Sequence, residues 1–243
     1  MNFKYENKKI EEGYSSIIGC DEVGRGCLAG PVVAAAALLR PEFLNHKSSI
    51  LNLKDVKDSK LLTAGKREEL SKTIKNLFLW SIAEVSSEAV DEINIHNASL
   101  LAMKKAVEGL LTACVIPETL SASERLSGIQ KSAKTGSRLS AALGRDDTSK
   151  AFLFVDGKFP VPNLNNIEQE AIIGGDNKVL SIAAASIIAK VYRDELMQKF
   201  DQQYPKYNLA QHKGYATLHH RQMIIQNGLS PIHRLSFCQN LSV

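Results

Sequence analysis

Asp21-Glu22-Val23-Gly24-Arg25-Gly26 stands between two apolar runs, Ser15 to Gly19 and Pro31 to Leu39, the second rich in Val and Ala. Short apolar runs bounded by glycine read as strands, and the glycine-rich turn between these two makes them successive. A third strand is predicted over Leu77 to Val85, around Trp80, after a helix at roughly Ala64 to Asn76. Three early strands imply an antiparallel meander. Successive side chains on a regular strand face opposite ways, so adjacent Asp21 and Glu22 are expected to reach one site only where the strand ends or bulges. Gly24 and Gly26 supply a candidate break, and they remove side chains where a ligand must approach the backbone. Arg25 between them offers a planar fork for phosphate.

Further along, Leu100, Leu101, Met103, Ala106, Val107, Leu110 and Leu111 recur at helical spacing, which predicts a helix over Asn97 to Leu111 with Asn97 as its N-cap. Ala151 to Val155 is a compact apolar run ending at Asp156-Gly157, and Glu170 to Gly174 is a shorter one ending at Gly175-Asp176. Val179 to Phe200 is alanine-rich, carries Lys190 and Arg193, and reads as a long helix whose first half is buried. A last helix is predicted over Thr217 to Gln226, stopped by Gly228. Mixed strands followed by helices point to a layered α/β fold with a C-terminal helical extension.

Pro117 to Lys150 departs in composition: rich in Ser, Thr, Lys and Arg and poor in large apolar residues. A connection this long is unusual in a compact domain, so it is expected to be a solvated insertion within one domain spanning residues 1–243. A nucleic-acid-binding arm is the alternative.

At 243 residues, 44% of them hydrophobic and 23% charged, the chain is long enough for a proper core and is neither disordered nor of a membrane class. The net charge of +4 favours a polyanionic partner only mildly. Met1 to Gly13 lacks the apolar core of a secretory signal, and Val32 to Leu39 is too short to span a bilayer. A cytoplasmic location, no membrane partner and a monomer are expected. Cys20, Cys27, Cys114 and Cys238 show no zinc-like spacing and read as free thiols.

Acidic residues thus stand beside glycine at three strand ends: Asp21-Glu22, Asp156 and Asp176. Hard divalent cations take oxygen ligands, so a carboxylate site suits Mg²⁺ or Mn²⁺ better than zinc. Mutual repulsion should raise the pKa of at least one carboxyl until cations neutralise the site.

These residues resemble the ribonuclease HII family, the type 2 RNases H. The likeness rests on Asp21 to Gly26 followed by Leu28 to Ala35, and on Asp58-Ser59-Lys60 with Lys66-Arg67-Glu68. Ile93-Asn94 to Gly109-Leu110, Val155-Asp156-Gly157, and Gly175-Asp176 leading into Ser181 to Val191 continue it. His212-Lys213-Gly214-Tyr215 and Ser230-Pro231-Ile232-His233-Arg234 complete it. The resemblance implies an RNase H-like fold, with Asp21, Glu22, Asp156 and Asp176 binding Mg²⁺ or Mn²⁺ as catalytic ligands. It implies that the backbone of Gly24, Arg25 and Gly26 reads the ribose 2′-hydroxyl, and that Tyr215 stacks on the adjoining sugar. Ser59, Lys60 and Lys190 are weaker candidates for substrate contact. The implied substrates are RNA/DNA hybrids and ribonucleotide-containing duplex DNA, cut to leave 5′-phosphate and 3′-hydroxyl ends during ribonucleotide removal and primer processing.

The 117–150 insertion, Cys27 in place of a common proline and Asn177 in place of a small hydroxyl residue depart from the family. His212, His219, His220 and His233 are read as surface or phosphate-neighbouring residues, because metal-activated water needs no histidine. A ribonuclease HIII-like nuclease and a non-catalytic hybrid binder are the alternatives. The binder fares worse, since clustered negative charge gives nothing to a protein that only holds a polyanion.

Overall fold

Side-chain alternation along β1 (Tyr14–Val23) divides the molecule into layers. Ile18 and Cys20 join one apolar cluster, while Ile17 joins another on the opposite face. β1 pairs antiparallel with β2 (Val32–Leu39), which pairs antiparallel with β3 (Phe78–Val85), so the expected meander is present. On its other side β1 pairs in parallel with β4 (Lys150–Asp156), and β4 with β5 (Glu168–Ile172). The sheet order is β3-β2-β1-β4-β5. Because β1, β4 and β5 run the same way, their C-terminal ends meet at one end of the sheet. This computed structural model describes residues 3–40, 43, 62–115, 150–164, 167–239 and 241. Ser59, Lys60 and the 117–150 insertion, apart from Lys150, lie outside the described residues.

Both faces of the sheet are covered, so β2 is an unbroken buried run of small and branched residues. On one face α1 (Lys4–Glu11), α2 (Ala64–Leu77) and the long α4 (Leu180–Gln203) pack. Ala184, Ile187 and Ile188 of α4 cluster there with Val33, Ala35 and Ala37 of β2. On the other face lies α3 (Ser87–Val115), whose Ala102, Met103, Ala106 and Leu110 cluster with Ile18, Ala34, Ala36 and Leu153. Small residues let α4 come close. A Cβ on Gly19 would sit 2.1 Å from the carbonyl carbon of Ser181, which fixes the start of α4 against β1 two residues before Asp21.

The chain then turns through α5 (Leu209–His212), α6 (Leu218–Asn227) and α7 (Leu235–Cys238). These pack with Leu28, Ala29 and Met197 into a separate apolar cluster. The layered α/β fold with a C-terminal helical extension is therefore as expected, with three local corrections. α3 begins ten residues before the predicted Asn97 and is broken at Asn94, which adopts φ 63 and ψ 162. Asn94, not Asn97, caps the second segment: its Oδ1 accepts hydrogen bonds from the backbone of His96 at 3.0 Å and Asn97 at 3.1 Å. β5 sits two residues earlier than predicted, because Ile173 to Asn177 form the turn into α4. Third, β1 has already left its ladder to β4 after Cys20, but its ladder to β2 runs on through Asp21 and Glu22 to Val23 before the break at Gly24. No helix among the described residues is long and apolar enough to cross a membrane.

Candidate active site

The unbroken ladder of β1 with β2 sends Asp21 and Glu22 to opposite faces. Asp21, 6% exposed, turns toward α4, where its carboxylate is bonded to the Ser186 side chain. Asp156 alternates in step with Phe152 and Phe154 and lies on that same face, at the last position of β4, next to β1. The backbone N–H of Gly175 donates to Asp156 Oδ1 at 2.6 Å, which ties the turn after β5 to the end of β4. Asp176, also buried, follows in that turn and accepts from Asn177 Nδ2 at 3.1 Å.

Glu22 departs on the α3 side, and its carboxylate takes a salt bridge from Arg25 Nη1 at 2.9 Å. Its second oxygen, Oε2, is buried with no hydrogen-bond partner. Even so, three carboxylates share one field. Burial raises Asp21 well above the usual carboxylate range, and the negative charges of Glu22 and Asp156 raise it further. Burial also raises Glu22, against the pull of Arg25 and with the added push of Asp156. The Cys20 thiol one residue away is pushed up by burial and then by Asp21, Glu22 and Asp156 together. Among the described residues, no group of three or more His, Cys, Asp or Glu is already arranged to hold a metal ion. The oxygen donors nonetheless fit one. They are hard ligands, with Asp21 and Asp156 on one face at the ends of adjacent strands, and Glu22 Oε2 is an orphaned buried oxygen.

Beside the carboxylates, residues 24–30 form a loop clamped from below by two buried guanidinium groups. Arg234, 0% exposed, donates from Nη2 to Gly24 O and Gly30 O, both at 2.8 Å, and from Nη1 to Arg25 O at 2.9 Å. Arg193, 1% exposed, donates to the carbonyls of Ala29 at 3.1 Å, Pro31 at 3.2 Å and Lys213 at 2.8 Å. Gly24 has φ +90, and a Cβ there would lie 2.3 Å from Arg193 Nε. A Cβ on Gly26 would meet nothing within 4 Å, so the fold itself does not require glycine there. Arg25 and Gly26 are the exposed residues of the loop, and Arg25 pairs with Glu22.

Tyr215 reaches the same loop. Its backbone bridges Cys27, and its ring stands 6.0 Å from Arg193 Cζ with 39% of the residue exposed. Lys190, half-buried on α4 and lowered chiefly by burial, lies within the electrostatic reach of Cys27, Arg193 and Asp194. The structure thus brings together Asp21, Glu22 and Asp156, with Asp176 behind Asp156, and sets Gly24 to Gly26, Tyr215 and Lys190 beside one another.

Sequence reasoning missed the two arginines as supports of the site, although Arg193 in a largely apolar helix was a legible sign of a buried cation. It also misplaced three histidines. His212, His220 and His233 are 8%, 0% and 3% exposed, not at the surface, because the C-terminal helices fold over them. Only His219 of the four stands exposed.

Comparison with known proteins points to one family. A family model described as ribonuclease HII matches residues 18–240. The ribonuclease HII of Alkaliphilus metalliredigens (strain QYMF) is 40% identical over 240 residues, covering 97% of this chain and 96% of the relative. In three dimensions the chain resembles the RNase HII of Archaeoglobus fulgidus, solved in complex with PCNA. That match has a TM-score of 0.62 at 23% identity and covers 92% of this chain and 94% of the other. Bst-RNase HIII, solved in complex with Mn²⁺, shares the fold at a TM-score of 0.59 and 16% identity, over 94% of this chain and 70% of its own.

Proposed function

The chain belongs to the ribonuclease HII family and is a ribonuclease H that acts on RNA/DNA hybrids, and from that premise we propose how this molecule selects and cuts its substrate. It hydrolyses the RNA strand of hybrids and cuts on the 5′ side of ribonucleotides embedded in duplex DNA. The products carry 5′-phosphate and 3′-hydroxyl ends. Residues 1–243 work as one catalytic domain. The observation that carries this reading is the placement of buried Asp21 and of Asp156 on one face at the C-terminal ends of adjacent parallel strands, with Glu22 next in the chain.

Asp21, Glu22, Asp156 and Asp176 would hold Mn²⁺ or Mg²⁺, a reading supported by their hard oxygen donors and by the Mn²⁺ complex of Bst-RNase HIII. Held by these carboxylates, such ions would supply Lewis acidity for activating water and for neutralising the leaving oxygen in an in-line displacement at phosphorus. Without cations the carboxylates would repel a phosphodiester, so metal dependence follows from the protein's own charge.

The chain's other residues choose the bond to be cut. The Arg234 and Arg193 clamps hold residues 24–30 with their carbonyls turned inward. Gly26 has no side chain to stand between the backbone and an approaching sugar. Backbone groups of Gly24, Arg25 and Gly26 meet the ribose 2′-hydroxyl, the one group that marks a ribonucleotide at that point. Tyr215 stacks on the next sugar and favours a ribonucleotide-to-deoxynucleotide junction. Lys190 and Lys60 add positive charge for the phosphate backbone, and Ser59 is a further, uncharged substrate contact.

Asp21→Asn tests the assignment. Cleavage of an RNA/DNA hybrid should fall by roughly a thousand-fold, on the order of 4 kcal/mol of transition-state stabilisation, while circular dichroism stays native. Full activity in that variant would overturn the site.

A further inference from the structure

A chain of imidazoles runs under the C-terminal helices, outside the carboxylate site. The Ser230 backbone N–H donates to His233 Nδ1 at 2.9 Å, and the Ser230 hydroxyl, 2.8 Å from the same nitrogen, donates to it as well once Nδ1 is an acceptor. An amide nitrogen can only donate, so Nδ1 of His233 accepts and its ring proton sits on Nε2. That Nε2 lies 3.1 Å from His220 Nε2. His233 must therefore donate and His220 accept, which places the proton of His220 on Nδ1. Nδ1 of His220 lies 2.9 Å from the carbonyl oxygen of Tyr215, to which it donates.

His212 is fixed by the same logic. Gly214 N–H donates to its Nδ1 at 3.2 Å, so its Nε2–H donates to Tyr207 O at 2.8 Å. Its ring stacks on His220 with centroids 4.1 Å apart. Every tautomer is set by an end group that can act in only one direction. A second proton on His220 would set two N–H groups face to face, and burial holds both His220 and His233 down at about 4, so the chain is neutral at pH 7.

The segment this chain grips is the one that presents Tyr215. Lys213 and Gly214 both have positive φ, 52 and 81, a conformation that needs outside support at Lys213. Lys213 O accepts from Arg193, and Gly214 O accepts from Leu28 N at 2.8 Å, which stitches the segment to residues 24–30. On the far side Tyr215 O accepts from both His220 Nδ1–H at 2.9 Å and the Thr217 backbone N–H at 2.8 Å.

We propose that His233 and His220 form a one-way hydrogen-bond relay that positions Tyr215, which makes His220 a positioning residue for junction selectivity. The proposal rests on the reading of Tyr215 as the residue that stacks at the junction. A role in stability alone would lower the folded fraction and leave selectivity untouched.

The test is the ratio of single-turnover cleavage rates on a duplex with one embedded ribonucleotide and on a continuous RNA/DNA hybrid, both with Mn²⁺. It is measured for the wild type, Tyr215→Ala, His220→Asn and His220→Gln. An Asn amide can donate from near the δ position, whereas a Gln amide reaches only toward the ε position. Tyr215→Ala and His220→Gln should each lower the ratio by roughly ten-fold, and His220→Asn should retain it. An unchanged ratio in His220→Gln, with Tyr215→Ala lowered, overturns the relay and leaves the reading of Tyr215 standing. An unchanged ratio in Tyr215→Ala overturns that reading and the relay's purpose with it. Should both His220 variants misfold, ¹⁵N shifts of the wild-type imidazoles decide the matter. The relay requires His220 protonated on Nδ1 and both His212 and His233 on Nε2, and any other pattern refutes it.

Discussion

Gly24 and Gly26 lie two residues apart and answer to different constraints. Gly24 combines positive φ with Arg193 beneath it, so Gly24→Ala should destabilise the fold by more than about 1 kcal/mol, read by urea denaturation. Gly26→Ala meets open space and should leave stability within about 0.5 kcal/mol. Hybrid cleavage should nevertheless drop in the Gly26 variant, because the new methyl group stands where the sugar must come. Asp21 carries a second contrast. Its charge is buried and opposed by Glu22 and Asp156, so Asn at this position relieves repulsion in the metal-free protein. Asp21→Asn should therefore raise the metal-free melting temperature by a few degrees, given about 2–4 °C per kcal/mol for a chain of this size, as it removes cleavage. At this scale the sequence was legible wherever residue type carried the chemistry. A single Asp-Gly pair reads only as a turn, and it was the ordered set of motifs around Asp21, Asp156 and Asp176 that made them candidates. The route taken by Glu22 was not legible, since only the ladder shows that β1 stays regular through Val23. The burial of His212, His220 and His233 was hidden too, because nothing in composition shows that backbone groups of Tyr207, Gly214, Tyr215 and Ser230 turn inward to satisfy them.

Two elements that look separate in the chain, the residue 24–30 loop and the C-terminal tail, are joined through Arg193 on α4 and Arg234 ahead of α7. Arg234 places one guanidinium against the carbonyls of Gly24, Arg25 and Gly30. Its replacement by methionine would leave those carbonyls without their donor. Arg234→Met should cost roughly 3 kcal/mol or more in stability, and in the folded fraction KM for hybrid should rise more than kcat falls. A stability loss with KM unchanged would show that the clamp serves folding alone. α4 was readable from its length and alanine-rich composition rather than from a period, since Leu180 to Ala189 is buried on every side. The break in α3 was not readable. Asn94 lies inside an otherwise helical pattern, and its cap depends on φ/ψ values that composition does not report.

Over the whole molecule, pH acts on two opposed sets of groups. His220 and His233 are held at about 4, below the ordinary value of 6.5, so between those limits the unfolded chain binds protons that the fold refuses. Their contribution is complete above pH 6.5 and lost as pH falls toward 4, at roughly 1.4 kcal/mol per pH unit for each histidine. Asp21 and Glu22 run the other way: raised in the fold, they favour it as acid neutralises them. Denaturation of the metal-free protein across pH 4 to 7 should therefore show a shallow fall on acidification, steeper once a divalent ion holds the carboxylates ionised. A fall no shallower without metal than with it would contradict this balance. The layer order of the fold was legible from the meander and the alternating strands and helices that follow it. The union of the tail with the first loop was not, since it depends on contacts more than two hundred residues apart, such as that of Arg234 with Gly24. The most direct test of the account is single-turnover cleavage of a DNA duplex containing one ribonucleotide, with Mn²⁺ and with chelator. One cut is expected, on the 5′ side of the ribonucleotide, with 3′-hydroxyl and 5′-phosphate ends and only when the metal is present. Cleavage that survives chelation, or an enzyme that cuts long hybrids and leaves the single ribonucleotide intact, would contradict it.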